Sequence, residues 1–225
     1  MNDDAFWALM DELSRRSGDR DERLEWLAGE LRRRPAADSV AFQVRLERAC
    51  EAADTRALWR AADLIEGGGC SDDGFHYFTL WLVGQGRKTY ESVLADPDAL
   101  ADVPEVRALV GRHQEEWDDD AWPEWEELEY VAQDVYDELT GQEDDEGEEF
   151  HAAVDDILDA EEPDADGERD GHDGHGDEDG ADARAAGGPD GWDEDGVPPA
   201  GPRGPAGGRT ALPRLAALFP AGRSV

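Results

Sequence analysis

One short segment combines residue types that could do chemistry. Residues 70–74 place a thiol, a hydroxyl and two carboxylates directly after three glycines. In a functional interpretation, Asp72 and Asp73 bind a metal ion or a cationic group of a substrate, while the glycines let that ligand approach the backbone. In a structural interpretation, Ser71 caps a helix and the two carboxylates stabilise its positive end. We favour the structural interpretation, because helix capping alone accounts for these residue types.

Arg87 is the second candidate, since it is a base in a strongly acidic chain. A guanidinium can clamp a substrate carboxylate, and an enzyme would then build its site from segment 70–74 and Arg87, with or without a divalent metal. Arg87 can also pair with carboxylates of the protein itself, at Asp72, Asp73, Asp96 or Asp98, which is the favoured interpretation because acids outnumber bases. The two cysteines form no zinc-binding pattern, and no calcium-loop pattern occurs. The sequence therefore predicts no catalytic residue and no cofactor.

Three tryptophans lie within a strongly acidic stretch. Trp117, Trp122 and Trp125 are surrounded by carboxylates, and no lysine or arginine occurs between His113 and Arg169. These rings either anchor the last helix of the domain to its core or form a partly exposed aromatic and acidic surface that binds a basic protein. The sequence leaves these two interpretations equally open.

The charge is distributed unevenly along the chain. The net charge of the 225 residues is −37, but residues 1–112 carry 22 acids and 15 bases, whereas residues 113–195 carry 36 acids and two arginines. Residues 196–225 carry four arginines and no acid. A surface this negative repels phosphate backbones and anionic lipids, so binding to nucleic acids or membranes is disfavoured and binding to a basic protein is favoured.

The sequence predicts a cytoplasmic protein. The first residues contain no basic and apolar leader, and no apolar run reaches the length of a membrane span. Cys50 and Cys70 are too few for a disulfide framework, and we expect them to be reduced thiols.

Helical periodicity dominates the first two thirds of the chain. Apolar residues recur every three or four positions, as at Leu24, Leu27 and Leu31, and caps and breakers separate the repeats. No convincing alternating pattern indicates a strand. The sequence therefore predicts an all-α domain over residues 1–142, a compact bundle of about seven helices, with the last helix beginning near Trp122 and Pro123.

Residues 143–225 form a long acidic tail rich in Gly, Pro and Asp. Its composition offers little apolar surface to bury, so we expect most of it, and residues 163–209 in particular, to be disordered. Residues 150–158 are amphipathic over one or two helical turns. A short apolar segment at residues 211–219 has the composition to dock onto the domain.

Several motifs resemble a known family. The motifs lie at residues 58–62, 67–78 and 81–87, with supporting pieces at 5–7, 95–98, 129–132 and 139–141. Together they make residues 4–141 similar to a bacterial family of unknown function numbered 4240. Residues 192–195 and 213–215 resemble elements found near the end of family members. Because the family has no assigned activity, the resemblance implies no substrate and no catalytic residue.

The sequence favours a non-catalytic binding or regulatory module that captures a basic protein partner, with an immunity-type protein as a special case. Strong acidity and abundant tryptophan support this hypothesis, while no catalytic constellation is complete. The alternative is the enzyme built from segment 70–74 and Arg87. A third hypothesis assigns the tail a role in solubility or weak cation binding.

Overall fold

Helices joined by short loops and turns form the chain in the computed structural model, which describes residues 1–141, 147–161 and 211–220. The α-helices of these ranges are α1 (Asp3–Arg15), α2 (Arg20–Arg32), α3 (Ala36–Ala53), α4 (Arg56–Ile65), α5 (Asp72–Gly84), α6 (Arg87–Ala95), α7 (Pro104–Ala108), α8 (Val131–Thr140), α9 (Glu148–Glu161) and α10 (Pro213–Leu218). Short 3₁₀ helices are η1 (Pro97–Asp102), η2 (Gln114–Glu116) and η3 (Glu126–Leu128). No strand occurs in these ranges, so the predicted all-α class is confirmed there.

Local side-chain caps set several helix boundaries. Asp19 begins α2 by accepting the backbone N–H of Glu22 at 2.9 Å, and Ser71 begins α5 by accepting that of Gly74 at 3.0 Å. Gly141 ends α8 in the left-handed conformation, with a φ of 74°. These three boundaries follow from residue types visible in the sequence.

The central helix of the core is α3. It packs against α1, α2, α5, α8 and α9, and it buries residues on several faces, including Phe42, Leu46 and Cys50. A helix surrounded in this way needs apolar or small residues all round rather than on one stripe. The helices that carry the candidate sites, α2 and α5, are therefore held by a shared centre.

The last helix of the predicted seven begins later than expected. The sequence places its start near Trp122 and Pro123, whereas α8 begins at Val131. The backbone N–H of Trp125 donates to the carbonyl of Tyr77 at 3.0 Å instead of to a carbonyl one turn earlier in its own segment. Tertiary hydrogen bonding thus replaces the helical pattern here. Residues 1–141 contain eight α-helices, close to the predicted number of about seven.

The core also receives side chains from beyond residue 142. Phe150 and Val154 of α9 and Leu215 of α10 are each at most 2% exposed. The amphipathic pattern of residues 150–158 and the apolar segment at 211–219 therefore correspond to helices that pack on the domain. The expectation of disorder at residues 163–209 falls outside the described residues.

Candidate functional site

A single arginine fixes the acidic loop that follows η2. Arg20, the first residue of α2, donates to the backbone carbonyls of Asp119 at 3.0 Å, Asp120 at 3.1 Å and Trp122. Its Nε also lies 3.8 Å from the Asp120 carboxylate. Burial lowers the pKa of Arg20 from its very high ordinary value, while the Asp120 charge opposes that shift. The guanidinium remains charged and replaces the helical hydrogen bonds that this loop lacks.

Trp125 anchors the same loop to α5. The Trp125 side chain is 1% exposed, and the Arg23 guanidinium lies over its ring, 4.6 Å from the centroid. A Cβ added to Gly84 would come within 2.7 Å of two Trp125 ring carbons. The glycine in α5 therefore permits the close approach of this ring, as its place in an otherwise helical pattern suggests.

The other two tryptophans are less deeply buried. The Trp117 side chain is 9% exposed and Trp122 is half-buried. Their rings meet edge to face, with centroids 4.8 Å apart and an interplanar angle of 69°. Of the three rings, Trp122 is therefore the one that can offer an aromatic face to a partner, while Trp117 and Trp125 act as core anchors.

An open acidic cleft lies where this loop meets α2 and α5. Its volume is about 450 Å³. Seven carboxylates and one guanidinium line it, together with Tyr77 and Trp122; the carboxylates belong to Asp19, Asp21, Asp119, Asp120, Glu124, Glu126 and Glu127. Arg20, the only base in the lining, already donates hydrogen bonds to the loop carbonyls. The cleft thus concentrates negative charge beside two aromatic rings.

The environment shifts the pKa of two cleft residues. Burial raises the pKa of Glu124, with Arg20 lowering it and the charge of Glu126 raising it further. A hydrogen bond with Glu126 raises the pKa of Tyr77 to about 12. Tyr77 is therefore a neutral phenol at physiological pH.

Glu66 lies beside this region, at the start of the glycine turn. The side chain is 7% exposed, and its Oε1 has no hydrogen-bond partner within the described residues. Burial, together with the charge of Glu124, raises the pKa of Glu66 to about 7. Burial and the neighbouring Glu66 raise the pKa of Cys70 to about 12, so this thiol is not an activated nucleophile.

The structure separates the residues of the alternative enzymatic site. Asp72 and Asp73 are exposed in the first turn of α5. Arg87 begins α6, beyond the other end of α5, and the 13 residues of α5 place the two ends roughly 18 Å apart at about 1.5 Å per residue. Arg87 pairs instead with Asp4 at 3.2 Å and Glu91 at 2.7 Å. The exposed carboxylates of α5 fit the capping interpretation. Arg87 is paired internally as expected, but its partners are Asp4 and Glu91 rather than the predicted aspartates at 72, 73, 96 and 98.

In residues 1–141, 147–161 and 211–220, no group of three or more potential ligands is placed to hold a metal ion. Within the same ranges, each helix is too short or too polar to cross a lipid bilayer.

The comparisons with known proteins establish one relationship. Residues 1–138 match the model of a family described as "Protein of unknown function (DUF4240)". The chain belongs to this family. No curated protein and no solved structure matches the chain.

The DUF4240 match covers the acidic cleft completely. It extends from the N-terminus almost to the end of α8 and includes all ten residues that line the cleft. Helices α9 and α10 lie beyond the matched residues. The sequence resemblance over residues 4–141 is thereby confirmed, while the packing of the C-terminal helices is an addition from the structure.

The sequence gives no sign that Arg20 shapes the site. In the sequence, nothing distinguishes Arg20 from the other arginines. Its partners are backbone carbonyls about one hundred residues away. Backbone acceptors carry no signature in the sequence, so no pattern could have paired them with Arg20. The unusual position of Gly84 within an apolar helix was the one available signal.

Proposed function

We propose that this domain is a non-catalytic binding module that holds a basic segment of a partner protein in the acidic cleft. The observation that carries the proposal is the cleft lining of seven carboxylates whose single base, Arg20, is occupied by loop carbonyls. A cationic ligand would supply the positive charge that the lining lacks. Facing carboxylates also create a focused field that accelerates the arrival of such a ligand.

Trp122 supports the same proposal at short range. Its half-buried ring lies at the cleft among the carboxylates. An indole face attracts lysine and arginine heads by about 0.5–2 kcal/mol and supplies apolar contact for their stems. The cleft therefore combines long-range attraction with a contact that discriminates between basic side chains and simple cations.

The test uses the full chain and a fluorescently labelled nona-arginine peptide. The cleft variant carries Asp21→Asn, Asp119→Asn and Glu127→Gln, three exposed carboxylates of the cleft lining. We expect its affinity for the peptide to fall at least about tenfold, which corresponds to about 1.4 kcal/mol. The affinity of the unchanged chain should also decrease as salt screens the field.

The matched control removes the same charge elsewhere. Asp155, Asp156 and Asp159 are exposed on α9, and their replacement by asparagine changes the net charge by the same amount. We expect this control to retain affinity within about threefold, since general attraction scales with total charge. Equal losses in the two variants would show that the cleft has no special role.

A Trp122→Ala variant separates the aromatic contribution from charge. We expect weaker peptide binding with an unchanged dependence on salt, because the ring carries no net charge. An affinity equal to that of the unchanged chain would remove Trp122 from the proposed surface.

A further inference from the structure

A carboxylate of η1 caps the distant helix α10. Asp98 is 5% exposed, and its oxygens accept the backbone N–H of Arg214 at 3.0 and 3.1 Å and that of Leu215 at 2.9 Å. The Nε of Arg214 donates to the same carboxylate at 3.2 Å. Asp98 therefore satisfies the first-turn donors that a short helix otherwise leaves open.

Arg214 and Leu215 of α10 contact this surface, and Pro213 begins the helix that presents them. Pro213 occupies the first helical position, where its missing N–H needs no partner. Arg214 extends its contacts from Asp98 to Asp102 and to Asp96, with 3.6 Å between its Nη2 and an Asp96 oxygen. Leu215 is fully buried. Arg214 is therefore recognised by its charge and Leu215 by the burial of its side chain.

The surface and the segment are complementary in charge. Residues 196–225 carry four arginines and no acid, whereas three aspartates of the 96–102 region surround Arg214. Every side-chain hydrogen bond and ion pair described for residues 211–220 comes from Arg214 or Leu215. A short peptide with the same residues can therefore form the same polar contacts without the rest of the chain.

We propose that the surface formed by η1 and α4 is a binding site for a basic Pro-Arg-Leu segment of a partner protein, and that the chain's own C-terminal segment occupies it when that partner is absent. None of the residues that line the acidic cleft belongs to this surface. The proposal therefore goes beyond the function proposed for the cleft and stands independently of it.

The chain's own C-terminal segment competes with any partner segment for this site. An intramolecular ligand acts at a high effective concentration, so a free peptide must overcome it in the unchanged chain. Weakening the internal segment should therefore increase the apparent affinity for a peptide supplied from outside. If the segment packs only as a covalently connected part of the fold, a free peptide should show no such binding.

The experiment measures binding of a fluorescently labelled peptide of residues 210–220 to the full chain by anisotropy. In one variant of the chain, Arg214→Ala and Leu215→Ala disable the internal segment and leave Asp98 unchanged. We expect this variant to bind the peptide at least about tenfold more tightly than the unchanged chain does. Equal affinities for the two chains would overturn the proposal.

Variants of the site and of the peptide test specificity. Adding Asp98→Asn to the disabled chain should weaken peptide binding at least about tenfold, because one charged acceptor serves several donors. The control Asp156→Asn alters an exposed carboxylate of α9 and should have no effect. A peptide with Arg214→Lys should bind more weakly, since lysine lacks the forked donors of arginine. If Asp98→Asn leaves the affinity for the peptide unchanged, the assignment of the site is overturned.

Two further measurements keep the proposal testable. If the disabled chain loses helicity, the unchanged segment can instead be cut free at a protease site inserted after Gly207. Labelled peptide must then compete with the cut segment at equilibrium, and failure to compete overturns the proposal. A concentration-dependent dimer of the unchanged chain that Asp98→Asn abolishes would assign the site to a second copy and overturn the assignment to a partner.

Discussion

The acidic cleft and the Asp98 surface use carboxylates in opposite ways. At the Asp98 surface, an arginine and two backbone donors satisfy one buried carboxylate. In the cleft, seven carboxylates share one arginine, which is bound to backbone carbonyls. The pKa of Asp98 is accordingly lowered, because hydrogen bonds and the Arg214 charge outweigh its burial, whereas burial raises that of Glu124. Acidity alone therefore says little about a region; what matters is which donors meet its carboxylates.

The largest expected effect concerns the ring that anchors the cleft. Trp125 is buried between the loop and α5, so Trp125→Ala should lower the free energy of unfolding by about 3–5 kcal/mol. Trp122→Ala, at a half-buried ring, should cost about 1 kcal/mol. Urea unfolding monitored by circular dichroism measures both values. Similar losses for the two variants would contradict the distinction between an anchor and a contact surface.

The second effect concerns the glycine beneath that ring. Gly84→Ala places a Cβ 2.7 Å from two Trp125 carbons, and overpacking of this kind should destabilise the fold by about 1–3 kcal/mol. Gly29→Ala is the matched control, since no atom lies within 4 Å of a Cβ at that position in α2. We expect the control to be neutral or stabilising by up to about 1 kcal/mol. Thermal unfolding of both variants tests the pair.

The third effect depends on pH and on Glu66. Its pKa is raised from 4.5 to about 7 in the folded state, so the folded protein holds a proton that the unfolded chain releases in this range. Stability should therefore fall as pH rises from about 4.5 to 7, by about 1–2 kcal/mol after allowing for solvent screening. Glu66→Gln should remove this slope, while Glu105→Gln, at an exposed position, should retain it. Unfolding free energies at pH 5 and pH 8 provide the measurement.

The smallest effect has the opposite sign and concerns α10. Because the pKa of Asp98 is lowered in the folded state, its contribution is present above its ordinary value of 3.8 and is lost as pH falls through the folded value. Asp96 and Asp102 form ion pairs with the same arginine. Hydrogen exchange at the Leu215 amide should accelerate below pH 4 before the rest of the fold opens. Exchange that accelerates together with the core would contradict local release of α10.

The sequence predicts where helices begin and end better than it predicts which distant residues contact one another. Asp19, Ser71 and Gly141 mark helix boundaries because each acts on its own backbone within a few residues. The start of α8 is wrong in the prediction because the competing hydrogen bonds come from Arg20 and Tyr77, far away in sequence. The capping role of Ser71 needs only local chemistry and is confirmed by its hydrogen bond. The cleft depends on distant partners, and only its acidic and aromatic composition was visible.

Arg20 fixes the backbone of the cleft loop without depending on the side chains of that loop. The guanidinium grips main-chain oxygens of residues 119, 120 and 122, and every residue type supplies such an oxygen. Side chains at these positions can therefore change from acidic to neutral, or from aromatic to aliphatic, while the backbone keeps its path. Such a loop can acquire a new specificity by single substitutions, without passing through unfolded intermediates in its evolution.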